Sequence, residues 1–416
     1  MKKKKIVFTL LSVFCCSLPV IYLKGNDSRA TNRAVNETQQ QEKKEAKMAI
    51  HADKADVSFN EAVLQSDAVV KVKILGKDAH VNDEIKGSIP KTIHKASVLE
   101  SYNGKLKIGD TIKIMQEGNE SVLINGMPLF EPEDTFIFML SSAMPAEQFP
   151  NTYFIKKEYQ LSNTTSQALD LNLGDANFED AGALQDKELE KKLAVISEDM
   201  FVDEVNIQVI DTQKLVTSIE EVIKNEKISV LFSITIFGLI SLFFTSNVEA
   251  HRLYQPIGSE SVGYIVGPEH PAKKDFDYAF ESGVSNEIID AVRDGAAQWR
   301  DLHGVRIEER SQYNSSNLMK EYYDPNSTTI AYNGLLVDPT TRYFIQFGLN
   351  FNMYQMNQFS TLRKHQIAMH EWGHTFGLKD LYWPVNIDKV MYGIGTRMQA
   401  TAITQQDYEG MFYGVQ

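Results

Sequence analysis

Two histidines and one glutamate near the C-terminus stand at a spacing that suits metal chemistry. They belong to the run HEWGHTFGLKD, residues 370–380, in which His374 follows His370 by four residues. Side chains four residues apart project from one face of an α-helix, so both imidazoles could bind one ion. Glu371 would lie about 100° around the helix from His370, within reach of a water at the metal. The spacing therefore predicts a metal site with a general base beside it.

The neighbouring residues favour a helix at this point in the chain. Ser360 can cap its start, residues 361–376 contain no proline, and Gly377 can adopt the left-handed conformation that ends a helix. A catalytic zinc ion needs a third protein ligand and an open fourth position. We expect the chain to turn back after Gly377, which makes Asp380, six residues past His374, a candidate ligand. A random chain of this length contains H-E-x-x-H roughly once in a hundred cases, so two ordinary core histidines are the weaker interpretation.

The run at residues 370–380 resembles the signature of the metzincin metallopeptidases, H-E-x-x-H-x-x-G-x-x-H/D followed by a methionine turn. The segment VMYG at 390–393 resembles that turn, and the resemblance implies that Met391 lies beneath the metal. Within the metzincins the chain is most similar to the matrixins, through AAQW at 296–299 and the terminal segment 404–414.

This resemblance covers about residues 255–416. It implies an α+β metzincin (zincin) catalytic domain in which Glu371 is the catalytic residue and Gly377 and Met391 support the site structurally. The expected fold class is therefore multidomain, with a small all-β barrel or sandwich domain ahead of the α+β catalytic domain.

Several features depart from the matrixin pattern. No histidine follows His374, so Asp380 must be the third ligand, as in the snapalysin-like bacterial enzymes. Glu409 is the one glutamate downstream, and it is the alternative ligand of the thermolysin type. The His-rich loop of the structural zinc is absent, so we predict one zinc ion, while calcium sites cannot be read from the sequence. The two cysteines, Cys15 and Cys16, precede any folded region, so a thiolate cannot block the metal.

Composition narrows the class of protein. The 416 residues are 43% hydrophobic and 23% charged, as in folded proteins. The formal net charge is −13, and such an acidic chain repels phosphate backbones, which argues against nucleic acid as a partner.

Two apolar runs predict export. Residues 1–23 have a basic head followed by an apolar run from 6 to 23, the layout of a signal peptide or N-terminal anchor. Residues 227–250 contain a second run, 228–244, and read as a signal-like or transmembrane segment with a small-residue cleavage site after Ala250. Membrane association could occur through either run. We expect a bacterial protein that is secreted or membrane-anchored on the extracytoplasmic side.

The remaining segments differ in pattern. Residues 24–54 are polar and predict a linker, and 55–165 contain six short β-type runs separated by turns. No catalytic constellation occurs there, and its histidines, His80 and His94, are isolated and read as inert surface residues. Residues 166–226 predict an acidic connector, and 251–416 the peptidase domain.

The predicted function is a zinc-dependent metalloendopeptidase. Its substrate would be a protein or peptide, extended along an edge strand that precedes the active-site helix and paired through its backbone. The alternative is a surface-exposed binding module in which the β domain has the main role and the peptidase domain is weakly active or inactive.

Overall fold

Two large β-sheets and one small two-stranded sheet, with helices packed on them, make up a mixed α/β fold. The computed structural model describes residues 47–54, 57–81, 88–124, 128–170, 178, 183–191, 208–229, 257–267, 270–271, 273–338, 341–393 and 396–416. All of these residues belong to a single compact unit. Their division into the separate domains expected from the sequence stays a prediction.

The first sheet is built from the strand-rich region that the sequence indicated. Its strands run in the order β4-β3-β2-β6-β7-β8-β9, and β4 also pairs with β7, which closes a ring of five strands. Alternating apolar residues explain the strands, because Val70, Val72 and Ile74 of β2 are all buried. The elements in this part of the chain are β1 (Lys47–Lys54), α1 (Phe59–Gln65), β2 (Ala68–Val81), β3 (Lys91–Ser101), β4 (Thr111–Glu117), β5 (Val122–Ile124), β6 (Thr135–Ser142), β7 (Thr152–Leu161), β8 (Gln167–Asp170), β9 (Gln208–Asp211) and α2 (Thr212–Ser229). Of these, β1 and β5 belong to the second sheet.

The second sheet supports the motif at residues 370–380. Its order is β14-β13-β15-β17-β16-β1-β5; the strands from β14 to β17 pair in parallel, and β16 is antiparallel to both β17 and β1. Here the elements are β10 (Ile257–Ser259), β11 (Tyr264–Val266), β12 (His270–Pro271), β13 (Asp275–Phe280), α3 (Asn286–Trp299), β14 (Arg306–Glu309), β15 (Leu318–Tyr322), β16 (Thr329–Val337), β17 (Tyr343–Asn352), α4 (Met353–Met356), α5 (Thr361–Thr375) and α6 (Gln405–Gly414), with 3₁₀ turns at Leu302–Gly304 and Pro384–Asn386.

Helices α3 and α5 pack against each other and are joined by hydrogen bonds from two tryptophans. The indole of Trp299 donates to the carbonyl oxygen of Met369 at 2.9 Å, and that of Trp372 donates to the carbonyl oxygen of Val292 at 3.1 Å. The helices approach so closely at Gly295 that a Cβ there would lie 3.0 Å from the backbone nitrogen of Met369. Because both indoles are fully buried and hydrogen-bonded, they fix the position of α5 in the core.

Two sequence-based boundaries need correction. The predicted linker 24–54 ends in a strand, because Ile50 and Ala52 alternate with polar residues and are buried in the second sheet. The predicted connector 166–226 contributes β8, β9 and α2 to the first sheet and its core, since short apolar stretches such as Ala168-Leu169 are buried despite their acidic surroundings.

Both predicted export segments, 1–23 and 227–250, lie outside the described residues, except that 227–229 end helix α2. The proposed cleavage site after Ala250 lies outside them as well. No helix among the described residues is both long enough and apolar enough to cross a membrane.

Candidate metal centre

Helix α5 begins and ends at the residues that its sequence indicates. The hydroxyl of Ser360 accepts a hydrogen bond from the backbone N–H of Arg363 at 3.4 Å, which satisfies one of the free donors of the first turn. Gly377 adopts a φ of +83°, a left-handed conformation that favours glycine. The reversal at this glycine turns the chain back toward the helix that carries His370 and His374.

Three side chains converge at this reversal. The Nε2 atoms of His370 and His374 lie 3.2 Å apart. Oδ1 of Asp380 lies 3.0 Å from Nε2 of His370 and 3.4 Å from Nε2 of His374. Within the described residues, this is the one group of three or more metal-ligating side chains close enough to hold an ion.

Backbone carbonyls orient both imidazoles. Nδ1 of His370 lies 2.9 Å from the carbonyl oxygen of Val390, and Nδ1 of His374 lies 2.8 Å from that of Leu378. A carbonyl can only accept, so each Nδ1 must carry the hydrogen, and each Nε2 keeps a lone pair when the ring is neutral. This second contact is the one that metal-binding histidines use to fix their tautomer and orientation.

Burial and charge favour the ligand forms of the side chains. His370, Glu371 and His374 are 0%, 0% and 1% exposed. Burial lowers the pKa of His374, against the raising effect of Asp380, and this favours the neutral imidazole. Burial alone would raise the pKa of Asp380, but the two imidazoles beside it outweigh burial and hold that pKa well below its usual range.

The donor set fits a tetrahedral zinc ion. Donors about 2.1 Å from such an ion lie about 3.4 Å from one another, close to the 3.0–3.4 Å separations of the three ligand atoms here. Two neutral imidazoles and one carboxylate also form a common ligand set for zinc. The cluster could therefore hold a metal ion, while the identity of that ion stays a prediction.

A loop that the sequence did not single out positions Asp380. The hydroxyl of Tyr382 donates to Oδ2 of Asp380 at 2.8 Å, which leaves Oδ1 facing the histidines. The buried carboxylate of Glu260 accepts from the backbone N–H groups of Tyr382 and Trp383, at 2.6 and 3.2 Å, and from the side-chain amide of Asn386. No sequence signal could have found Glu260, because it lies far upstream in an ordinary turn.

Met391 packs against helix α5 at Gly373; its role in supporting the centre stays a prediction. A Cβ at Gly373 would lie 2.1 Å from the sulfur of Met391, so only glycine lets the methionine pack against α5 between the two histidines. Asp407 holds this segment, since its carboxylate accepts from the backbone N–H groups of Val390 and Met391 at 3.2 and 3.4 Å. The same carboxylate caps the start of α6, so Asp407 joins the last helix to the segment of Val390 and Met391.

The metal-ligating group contains no ligand atom from Glu371, His365 or Glu409. Glu371 is buried next to His370 on α5, and its backbone carbonyl accepts from the side-chain amide of Asn333 on β16 at 3.1 Å. His365, the third histidine of α5, lies 3.0 Å from Asp294 and outside the cluster. Glu409 is exposed on α6 and accepts from Gln405 of its own helix, so it does not belong to the cluster.

No protein-family model matches the chain, and no curated protein matches it. The similarity to the metzincins therefore depends on the motif residues and stays a prediction.

Proposed function

We propose that the protein is a zinc-dependent metalloendopeptidase. The observation that carries this proposal is the convergence of three ligand atoms, from His370, His374 and Asp380. Glu371 follows His370 on the same helix and is buried. Three protein ligands leave a fourth position open, which is typical of catalytic zinc and not of structural zinc. The proposed place of action is the extracytoplasmic side of the membrane, as the apolar runs of the sequence predict.

Each residue has a defined role in this proposal. His370, His374 and Asp380 hold the ion, which when bound supplies a Lewis acid and lowers the pKa of a water molecule. Glu371 accepts a proton from the attacking water and later gives it to the amine that leaves. Tyr382 keeps Asp380 in its orientation, and the carbonyl groups of Val390 and Leu378 keep the imidazoles in theirs.

A neighbouring strand supports the proposed substrate class. β16 is antiparallel to β17, and the side chain of Asn333 ties it to α5 through the carbonyl oxygen of Glu371 and the hydroxyl of Thr375. A polypeptide paired with the outer edge of β16 would therefore run past the catalytic glutamate. Backbone pairing of this kind accepts many sequences, which suits an endopeptidase of proteins or peptides.

Hydrolysis of casein, an unstructured protein, tests the proposal on the full chain and on residues 251–416. We expect Glu371→Ala to lower the rate about 10²–10⁴-fold, the contribution of a general base. Zinc analysis should still find one ion per chain, because Glu371 is not a ligand. Removal of zinc by a chelator should abolish hydrolysis, and added zinc should restore it.

Glu409→Ala is the matched control, because it removes another glutamate from an exposed position of the same region. Its rate and zinc content should equal those of the parent. Near-normal turnover by Glu371→Ala, or no hydrolysis by either form of the parent with zinc bound, would contradict the proposed function.

A further inference from the structure

The outer edge of β16 is already paired with another strand of the same chain. β1 lies antiparallel to β16 over its full length, from Lys47 opposite Val337 to Lys54 opposite Thr329. This is the pairing that an extended substrate is expected to form with the same edge. The N-terminal strand of the described chain therefore stands where the proposed function requires a substrate to bind.

A buried cluster holds β1 in this place. Ile50 and Ala52 of β1 are 3% and 2% exposed, and they pack with Tyr322 and Tyr332 of the second sheet. Ile89 and Ile124 complete the cluster from the region of the first sheet. The strand is thus held by side chains from both regions, as well as by its backbone.

The opposite edge of β1 is covered in part. β5 pairs with β1 in parallel over Met48–Ile50, and a paired stretch of this kind offers no free backbone groups to another chain. Polar contacts join the two regions nearby: Lys91 forms a buried ion pair with Asp324, and Oγ of Ser88 donates to Oδ2 of Asp324 at 3.1 Å. These contacts fasten the region of the first sheet to the second sheet beside the covered edge.

The covered stretch includes the part of β16 that contacts the catalytic helix. Asn333, which donates to the backbone carbonyl of Glu371, is opposite His51 in the register of β1. Neighbouring strands are about 4.8 Å apart, so the middle of β1 runs one strand away from this contact.

We propose that β1 blocks the substrate-binding edge of β16 within the same chain. The intact chain then binds no substrate at this edge until β1 dissociates from it. This inference rests on the proposed function for the identity of the edge as a substrate site. It also gives a role to the region of the first sheet, which supplies β5 and the buried contacts that hold β1 in place. Release of β1 opens the edge, and because β1 is part of the same chain it competes at a high effective concentration.

Binding of fluorescently labelled casein to the full chain tests the proposal. The Glu371→Ala background prevents cleavage, so the measurement does not depend on hydrolysis. Ile50→Asp places a charge in the buried cluster and should release β1. We expect casein to bind this variant at least about 10-fold more tightly than the background chain. Leu75→Asp, the same kind of change at a position 49% exposed on β2, should leave binding unchanged.

Deletion of residues 47–54 is the second variant, because it removes the strand without burying a charge. Circular dichroism and zinc content show whether each variant is folded, and if Ile50→Asp is not, the deletion decides. Equal casein binding with and without β1 would overturn the proposal, whatever the hydrolysis assay shows. A variant without a bound β1 that retains Glu371 and zinc could also bind casein more tightly without hydrolysing it. That result would refute the proposed peptidase activity and would still support the proposal that β1 blocks the edge.

Discussion

Buried histidines occur both in the region of the first sheet and in the region of the second sheet, but the groups that contact them differ. His94, on β3, is 1% exposed and packs 5.2 Å from the ring of Phe130. His370 and His374, on α5, are as deeply buried, but their Nδ1 atoms face backbone carbonyls and their Nε2 atoms face each other and Asp380. The first is a core residue, whereas the other two form a centre that could hold a metal.

The comparison shows that burial does not identify a functional histidine. Burial lowers the pKa of His94 to about 4, so this ring is neutral near pH 7 although it belongs to no metal-capable group of the described residues. At the centre, the orientation of each ring by a carbonyl and the convergence of the second nitrogens are the informative features. The sequence-based interpretation of His94 as a surface residue was wrong, because Phe130, which packs against its ring, lies far along the chain.

The largest effect should come from exchanging histidine for leucine in the two regions. His370→Leu should abolish stoichiometric zinc binding, with a loss of affinity above the about 10–100-fold that an outer-shell partner costs. His94→Leu should keep one zinc ion per chain. Metal analysis after gel filtration measures both variants, and equal zinc loss in the two would remove the distinction between the regions.

Asp380 is a further difference between the two regions. Among the described residues, it belongs to the one group that could hold a metal, and His94 belongs to no such group. Asp380→Ala should weaken zinc binding and hydrolysis together, because it opens the three-ligand cage. Asp380→His should restore zinc binding, because imidazole is also a zinc ligand. Competition with a zinc-binding dye gives the affinities. An unchanged affinity in Asp380→Ala would mean that another residue is the third ligand.

Removal of the Tyr382 hydroxyl should have a smaller effect. Tyr382→Phe deletes the donor to Oδ2 of Asp380, and loss of such an outer contact typically costs about 10–100-fold in metal affinity or activity. Tyr413→Phe, at a position 41% exposed on the terminal helix, should be neutral. Zinc affinity and casein hydrolysis, measured side by side, test the difference. Equal values for the two variants would show that Asp380 is positioned without Tyr382.

The smallest expected effect is on the free energy of unfolding at acid pH. It involves His94 and does not depend on the metal centre. Its folded-state pKa of about 4 lies below the ordinary value of 6.5, so the unfolded chain binds a proton that the folded chain excludes. Stability from this source is complete above pH 6.5 and is lost as the pH falls toward 4, by at most about 1.4 kcal/mol per pH unit. His94→Leu should reduce that slope in urea unfolding, and His80→Leu, on an exposed residue, should keep it. A slope unchanged in His94→Leu would contradict the assignment.

Local signals predicted the part of the site that one helix provides. The spacing of His370 and His374, the cap at Ser360 and the turn at Gly377 depend on neighbours in the sequence, and the structure places all of them as expected. The positioning residue Glu260 could not be predicted, because its partners at residues 382–386 approach it only after the chain has folded.

The strand β1 was predictable in part. Met48, Ile50 and Ala52 alternate with other residues, a period that indicates a strand, although the charged and polar surroundings favoured a linker. Its partner could not be inferred, because β16 lies in the distant second sheet and any exposed edge accepts a strand through backbone hydrogen bonds.

The pairing of β1 with β16 also sets an order of events during synthesis. β1 is near the start of the chain and β16 ends at Val337, whereas the helix with both histidines begins at Thr361. At about 5–20 residues per second, the stretch between Val337 and Thr361 takes roughly a few seconds to make. Strand pairing takes microseconds for a local hairpin and milliseconds to seconds for distant partners, so it can be complete within that time. β1 can thus cover the edge of β16 before the helix with His370 and His374 has been made. A newly made chain would then never combine a complete metal site with an uncovered substrate edge.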